Sequence, residues 1–210
     1  DITAAQTWLT QMNNGCANSN VTIQMCMSHV RHILQSTEMS QVTNARASGD
    51  YHPGSTQWDV GTTSVLAHAV GIGPSKDNYW STPVQNGTHY GPGTSEPRGL
   101  LQSAVSTFSN GPVAPSDMVG GSNASLILMA CDAAGNLLTP DRPAAYIDEV
   151  FVNLAGMSDS NGVRAGVQGK VSFTYAVVKG TRYGYVLITD LSAAYVIRFV
   201  GKLCLNCVDW

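Results

Sequence analysis

One stretch of the sequence, RASGDYHP at residues 46–53, combines charged and hydrogen-bonding side chains at a turn. Asp50 follows a glycine, and Arg46 stands four positions earlier. A carboxyl group in this setting can act as a general acid or base, and a planar guanidinium can hold a substrate hydroxyl or a second carboxylate. The alternative interpretation is a solvated polar turn in which Asp50 caps a helix.

A second group of this kind is KDNYW at residues 76–80, in which Asp77 precedes Tyr79 and Trp80. A carboxylate accepts hydrogen bonds from sugar hydroxyls, and an aromatic ring stacks on the apolar face of a sugar. The set therefore suits a carbohydrate. The alternative is a loop that is anchored by a buried tryptophan.

The remaining reactive residue types form no recognisable metal or nucleophile site. The histidines lack the spacing of a metal site, and His29 at a predicted strand end is typical of a hydrogen-bonded structural residue. There is no nucleophile elbow, phosphate-binding loop or dinucleotide fingerprint. The sequence therefore predicts no metal and no cofactor.

Composition and charge restrict the partners. Only 12% of the 210 residues are charged and the net charge is −3, without a basic run, which argues against nucleic acid and anionic membrane surfaces. No apolar stretch is long enough to span a bilayer. Three glycosylation sequons, at Asn20, Asn86 and Asn123, favour a secreted glycoprotein.

The five cysteines support the same compartment. Cys16 and Cys26 lie near each other in the sequence, Cys204 and Cys207 form a C-x2-C pair, and Cys131 stands alone. In an oxidising compartment an odd count leaves one thiol free or bonded to another chain. A zinc site at Cys204 and Cys207 is the alternative to a disulfide.

Apolar periodicity indicates which elements must position these groups. Helical spacing predicts helices at residues 4–13, 29–36, 58–71 and 99–108. Short apolar runs predict strands at residues 21–27, 41–48 and 110–115, with a loop at 71–98 and an unassigned helix or strand at 122–132. This alternation is typical of β/α units around a parallel sheet.

The pattern changes near residues 139–148. Residues 170–178, 183–189 and 195–201 alternate apolar and polar side chains with period two, which predicts an antiparallel sheet. The sequence therefore predicts two regions, residues 1–140 and 141–210.

Four stretches occur in the order found in one known family. They are TIQMCMSH at residues 22–29, RASGDYHP at 46–53, SNGPVAPSDMVG at 109–120 and GNLLTPDRPA at 135–144. Over roughly residues 21–145 the chain resembles the raffinose synthases and their seed-imbibition-type α-galactosidase relatives.

The resemblance implies an α/β fold, the second half of a (β/α)8 barrel at residues 1–140, followed by an antiparallel β-sandwich at 141–210. It implies a retaining glycosidase or transglycosidase that acts on α-galactoside-like sugars, with Asp50 as the general acid/base. The expected substrate contacts are Arg46, Cys26, His29, Trp58, Asp77, Trp80 and Asp117.

The nucleophile is the largest departure from the family pattern. In the family it ends the fourth barrel strand, upstream of the segment that matches residues 22–29, where this sequence has only Asp1. Half a barrel would leave its core and sheet edges open. We therefore expect an N-terminal chain of the same precursor, cleaved before Asp1, that completes the barrel and is bridged by Cys26 in an interchain disulfide. The competing pairing is a Cys16–Cys26 disulfide within the chain, and a Cys204–Cys207 disulfide would close a tight local loop.

Two functions follow from the resemblance. The first is the C-terminal chain of a secreted or lysosomal carbohydrate-active enzyme, which the retention of Arg46 and Asp50 favours. The second is a non-catalytic structural or sugar-binding protein with the same fold, which is favoured by Gly49, where relatives usually carry an acidic residue.

Overall fold

The strands form two three-stranded sheets within the part of the computed structural model that is described, which comprises residues 2–57, 60–148, 150–151 and 170–189. The helices are α1 (Ile2–Asn18), α2 (Val30–Gln35), α3 (Thr63–Ala69), α4 (Gly99–Phe108) and α5 (Ala124–Leu128). The strands are β1 (Ile23–Met25), β2 (Val42–Arg46), β3 (Gly73–Ser75), β4 (Ala145–Tyr146), β5 (Lys170–Val178) and β6 (Thr181–Thr189). The fold is therefore mixed α/β, as the sequence predicts.

The first sheet is parallel, with the strand order β1-β2-β3. Helix α2 connects β1 to β2, and α3 connects β2 to β3. Beyond β3, the N–H of Tyr79 donates to the carbonyl of Ala114 at 3.2 Å, and the N–H of Ser116 donates to the carbonyl of Tyr79 at 2.8 Å. A fourth parallel segment thus follows α4 and extends the same order. Successive β/α units bring the carboxyl ends of these segments to one edge.

Apolar side chains hold this sheet to its helices. Leu9 of α1 is buried, and Met12 and Cys16 on the same helical face pack beside it. Ile23 and Met25 point from β1 into the same cluster, whereas the intervening residue Gln24 is exposed. The helix predicted at residues 4–13 is confirmed and extends to Asn18.

The helix predicted at residues 58–71 is shorter in the structure, where α3 spans Thr63–Ala69 and residues 60–62 are not helical. Two further details of the predicted β/α region differ from the structure. Residues 71–98 contain β3, which the sequence analysis assigned to a loop because Gly-Pro-Ser has no strand propensity. Parallel pairing with β2 produces the strand instead. The strand predicted at residues 110–115 is reduced to the bridge at Pro115, because Pro112 and Pro115 have no N–H to donate to a ladder. Residues 124–128, for which the pattern did not decide, form the short helix α5.

The second sheet is antiparallel, with the order β4-β5-β6. Strands β5 and β6 pair from Lys170↔Thr189 to Val178↔Thr181 around a two-residue turn. Both turn residues, Lys179 and Gly180, have positive φ (50° and 78°), as a type I′ hairpin turn requires. The strands predicted at 170–178 and 183–189 are confirmed. The strand predicted at 195–201 lies outside the described residues.

The antiparallel sheet packs against the β/α region through β4. The N–H of Ala144 donates to the carbonyl of Phe108 at 2.8 Å, and the hydroxyl of Ser64 in α3 donates to the carbonyl of Ala144 at 3.0 Å. Leu187 of β6 packs beside Val105 of α4. Residues next to β4 and in β6 therefore attach the described part of the antiparallel sheet to α3 and α4.

Candidate functional site

The stretch RASGDYHP lies at the carboxyl end of β2, and Arg46 is the last residue of that strand. Nη2 of Arg46 lies 2.6 Å from Oδ1 of Asp50, and the two side chains are 10% and 57% exposed. The guanidinium is thus nearly enclosed, while the carboxylate that it holds faces solvent. Parallel sheets carry their functional side chains at this edge.

Asp77 joins this pair from the neighbouring strand. It follows β3 by two residues, and its Oδ2 lies 3.5 Å from Nη1 of Arg46. Oδ2 of Asp77 also accepts a hydrogen bond from the N–H of Tyr51 at 2.7 Å, and the Asp77 N–H donates to the hydroxyl of Ser48 at 2.8 Å. One guanidinium therefore bridges two carboxylates, of which Asp77 is held by the protein and Asp50 is accessible.

Tyr51 connects its own loop to two positions of the loop between β3 and α4. Its side chain is buried at 3% exposure, its hydroxyl donates to Oε2 of Glu96 at 2.9 Å, and the same hydroxyl accepts from the N–H of Trp80 at 3.1 Å. Burial, together with the negative charge of Glu96, raises the pKa of the Tyr51 phenol, so that it stays protonated. Tyr51 therefore fixes the backbone immediately after Asp50.

Glu96 is a buried carboxylate whose oxygens are occupied by donors. It is 1% exposed, accepts from the N–H of Gly54 at 3.1 Å, and accepts through Oε1 from the N–H of Arg98 at 2.8 Å. Nε2 of Gln102 lies 3.4 Å from Oε2. These bonds tie the start of α4 to the loop that carries Asp50.

Lys76 is a buried cation next to the same network. At 2% exposure its ammonium donates to the carbonyls of Asp77 at 3.2 Å and Asn78 at 2.9 Å. Nζ lies 5.1 Å from the centroid of the Tyr51 ring, within the range of a cation–π contact. Burial lowers the pKa of Lys76 from 10.5 to about 8, while the charges of Asp77 and Glu96 act in the opposite direction.

Trp80 and Asp117, both predicted substrate contacts, line a cleft beside these carboxylates. The cleft has a volume of about 330 Å³ and is lined by Asn78, Trp80, Gln85, Asn86, Gly87, Thr88, His89, Tyr90, Ser116, Asp117 and Met118. Trp80 is 4% exposed and packs edge-on against Tyr51 and Tyr90. Most of its ring area is consequently in contact with protein.

Asp117 uses both carboxylate oxygens inside the protein. Oδ1 accepts from the N–H of Ser81 and from Nε2 of Gln85, each at 2.7 Å, and Oδ2 accepts from the hydroxyl of Ser81 at 2.5 Å. These bonds favour the interpretation that Asp117 shapes the cleft. Direct contact of Asp117 with a substrate stays a prediction.

Cys26 and His29 are exposed and follow β1, at the same edge of the sheet as Asp50. The backbone N–H of His29 donates to Nδ1 of His32 at 3.2 Å, which caps α2. Among the described residues, Arg46 forms its ion pairs with Asp50 and Asp77 and with neither of these two side chains. Trp58, the other predicted aromatic contact, lies outside the described residues.

The described part of the chain holds three of the five cysteines. Cys16, Cys26 and Cys131 have free thiols, so that the Cys16–Cys26 pairing is not formed here, whereas Cys204 and Cys207 lie outside the described residues. Over the same residues, His, Cys, Asp and Glu side chains nowhere gather in threes as a metal ion would need. Nor is any described helix both long and apolar enough to cross a membrane. The three predicted glycosylation residues, Asn20, Asn86 and Asn123, are exposed.

Sequence reasoning missed Tyr51, Lys76, Glu96 and Tyr90. Tyr51 lies inside the motif but carries no signal of its hydrogen bonds, which reach 26 to 45 residues along the chain. Lys76 and Glu96 lie in the segment predicted to be a loop, where charged residues are ordinarily solvated. Only their burial distinguishes them.

No family model matches this chain, and no curated protein matches its sequence. Inference about function therefore starts from the residues and contacts described above.

Proposed function

We propose that this chain carries the acid/base side of the active site of a retaining glycosidase or transglycosidase that acts on α-galactoside-like sugars. The observation that carries the proposal is the 57% exposed carboxylate of Asp50, held by Arg46 at the carboxyl end of a parallel strand beside Asp77. In this proposal Asp50 protonates the leaving oxygen and then activates the water or sugar that attacks the glycosyl-enzyme.

The order of the parallel segments supports a half-barrel architecture for this proposal. Three strands and the segment at Pro115 follow one another in sequence order, with α2, α3 and α4 between them. In the proposed architecture these are the last four units of a (β/α)8 barrel, and the antiparallel sheet belongs to a following β-sandwich. The first four units come from an N-terminal chain of the same precursor, which pairs with the outer edge of β1.

The nucleophile in this proposal also comes from that partner. A retaining glycosidase needs two carboxyl groups about 5–5.5 Å apart, one of them free to attack the sugar. Asp77 is the carboxylate that shares Arg46 with Asp50, but the N–H of Tyr51 and the guanidinium both occupy its Oδ2. In this proposal Asp77 positions the substrate, as the family resemblance implies.

The remaining predicted contacts divide by their accessibility. Arg46 and Asp77 lie within reach of a sugar hydroxyl that approaches Asp50, and Cys26 and His29 are exposed at the neighbouring strand end. Trp80 lines the cleft but is only 4% exposed. No cofactor takes part in the proposed chemistry.

The test of catalysis is an Asp50→Ala variant of the intact protein, assayed on an α-galactoside with an activated aryl leaving group. Loss of the acid/base should lower kcat by about 10²–10⁴-fold. Azide needs no general base, so it should restore turnover and yield an α-galactosyl azide of retained configuration. Asp148→Ala removes an exposed carboxylate elsewhere in the chain and is the matched control. Unchanged turnover in Asp50→Ala would show that Asp50 is not the acid/base.

A second candidate function is sugar binding without turnover. It is favoured by the 2.6 Å contact between Arg46 and Asp50, which presents a paired carboxylate suited to accept a sugar hydroxyl. Galactoside binding that depends on Asp50, together with no turnover by the wild-type intact protein, would establish this function in place of the first.

The proposed setting is a secreted or lysosomal glycoprotein. Asn20, Asn86 and Asn123 are all exposed. Asn20 and Asn123 lie outside the lining of the cleft, so a glycan on either would leave the cleft open. Enzymatic removal of N-linked glycans from the native protein should reduce its apparent mass. Electrophoresis with and without reductant would reveal the interchain disulfide expected at Cys26.

A further inference from the structure

The cleft beside the carboxylates is a preformed cavity whose role the acid/base proposal leaves open. It lies between the loop at residues 85–90 and the segment at 116–118, and its volume of about 330 Å³ falls at the lower end of the range of small-molecule sites. The short stretch after β3 forms its inner side through Asn78 and Trp80.

The chemistry of the cleft suits an uncharged ligand rich in hydroxyl groups. Its polar lining includes the neutral side chains of Asn78, Thr88 and Ser116, and no lysine or arginine is among its lining residues. The single lining carboxylate, Asp117, already accepts three hydrogen bonds. A phosphate or carboxylate ligand would therefore find no guanidinium or ammonium group in the described lining.

Aromatic rings supply the apolar surface that a sugar ring needs. The rings of His89 and Tyr90 lie 3.9 Å apart between centroids with an interplanar angle of 37°, and the centroid of Trp80 lies 5.8 Å from that of Tyr90 in an edge-on contact. His89 is exposed and Tyr90 is half-buried. The pair thus presents a supported aromatic surface to the cleft.

Hydrogen bonds hold the cleft loop at both ends. Oε1 of Gln85 accepts from the N–H of Met118 at 2.8 Å, while Asp117 binds Ser81 and Gln85. At the other end the hydroxyl of Tyr90 donates to the carbonyl of Tyr51 at 2.7 Å. A site that is formed before binding spends less free energy on ordering when its ligand arrives.

Tyr90 places the cleft next to Asp50. The residue to which its hydroxyl bonds directly follows Asp50 in the sequence, and the ring of His52 lies 5.3 Å from the Tyr90 ring. Burial raises the pKa of Tyr90, and the negative charges of Asp77 and Asp50 raise it further, so both carboxylates lie within electrostatic range.

We propose that this cleft is a subsite for a second sugar ring, adjacent to the ring on which Asp50 acts. The substrate is then an oligosaccharide rather than the glycoside of one sugar, and the His89–Tyr90 surface stacks on the second ring. This subsite rests on the proposed carbohydrate function and assigns to it a substrate class.

The test compares one-ring and two-ring ligands in a His89→Ala variant. This substitution removes a ring from the cleft and leaves the Tyr90–Tyr51 hydrogen bond in place. The one-ring substrate is α-galactosyl fluoride, whose leaving group is too small to reach the cleft. The two-ring substrates are a panel of α-galactosyl disaccharides that differ in linkage. His68→Ala, at an exposed position in α3, is the matched control.

His89→Ala should lower kcat/KM about tenfold for the best disaccharide, while kcat/KM for α-galactosyl fluoride changes by less than about twofold. An equal loss of kcat/KM on both substrates, or no loss on the disaccharide, overturns the subsite even when Asp50→Ala abolishes turnover.

If the protein proves to bind sugars without turnover, titration calorimetry replaces kinetics. His89→Ala should then weaken the disaccharide about tenfold and methyl α-galactoside by less than about twofold. Failure of the wild type to bind any disaccharide overturns the proposal.

Discussion

Lys76 is the residue at which one perturbation tests the buried network most directly. Its ammonium is 2% exposed, donates to two carbonyls in the loop that carries Asp77, and lies near the Tyr51 and Tyr79 rings. A Lys76→Met substitution shortens the side chain by one atom, keeps it unbranched, and removes the charge. We expect it to change the pH dependence of folding stability.

The sign follows from the direction of the pKa shift. The folded-state pKa of Lys76 is lowered from 10.5 to about 8, so the folded protein binds this proton less tightly than the unfolded chain. The contribution of Lys76 to the free energy of unfolding is greatest above pH 10.5, falls as the pH is lowered towards about 8, and stays constant at lower pH. A shift of this size corresponds to a penalty of about 3 kcal/mol at neutral pH, of which about 1 kcal/mol is relieved between about pH 7 and pH 9.

Urea unfolding followed by tryptophan fluorescence, at several pH values from about 7 to 9, measures this difference. The free energy of unfolding of Lys76→Met, subtracted from that of the wild type, should rise by about 1 kcal/mol over this range. The phenols of Tyr51, Tyr79 and Tyr90 have raised pKa values and stay protonated there. Lys179→Asn, in the exposed hairpin turn, is the control. Parallel pH profiles for wild type and Lys76→Met would refute the argument that a buried, protonated lysine lies in this network.

Two further predictions concern residues that hold the site in place. Glu96→Gln removes the negative charge that accepts hydrogen bonds from Tyr51, Gly54 and Arg98, so it should lower the free energy of unfolding by about 2 kcal/mol in a urea titration. Because the charge of Glu96 raises the pKa of Lys76, the same variant should move the pH-dependent change in stability that comes from Lys76 to lower pH. An unchanged pH dependence would show that Glu96 does not interact with Lys76. Gly111→Ala places a Cβ 2.4 Å from the carbonyl oxygen of Pro74, and the backbone shift should cost at least about 2 kcal/mol; full stability in thermal unfolding would mean that this approach is absent.

Local pattern accounts for the elements that carry their own signal. Helix α4, Gly99–Phe108, has the bounds that apolar spacing predicts, and β5, Lys170–Val178, matches its period-two run. The Arg46–Asp50 pair also follows from the sequence, since both residues belong to one strand end and its turn. In each case the residues that decide the structure lie within about ten positions of one another.

Contacts between distant segments account for the rest. The strand at Gly73–Ser75 exists because β2 supplies its hydrogen-bonding partners, although Gly and Pro disfavour a strand. Asp77 reaches Arg46 only because the two parallel strands end at the same edge. No local pattern predicts such a meeting, since it depends on which strands pair and in which register.

The sequence by itself determined the alternation of β/α units, the later antiparallel hairpin, and the candidate residues Arg46 and Asp50. Tertiary structure decided which of these carboxylates is accessible to a ligand. Asp50 pairs with Arg46 but still faces solvent, while the oxygens of Asp77, Glu96 and Asp117 accept hydrogen bonds from distant segments. It also decided that Lys76 is buried. A charged side chain has the same chemistry in every loop, and only the atoms packed around it determine whether it is solvated, paired or available to a ligand.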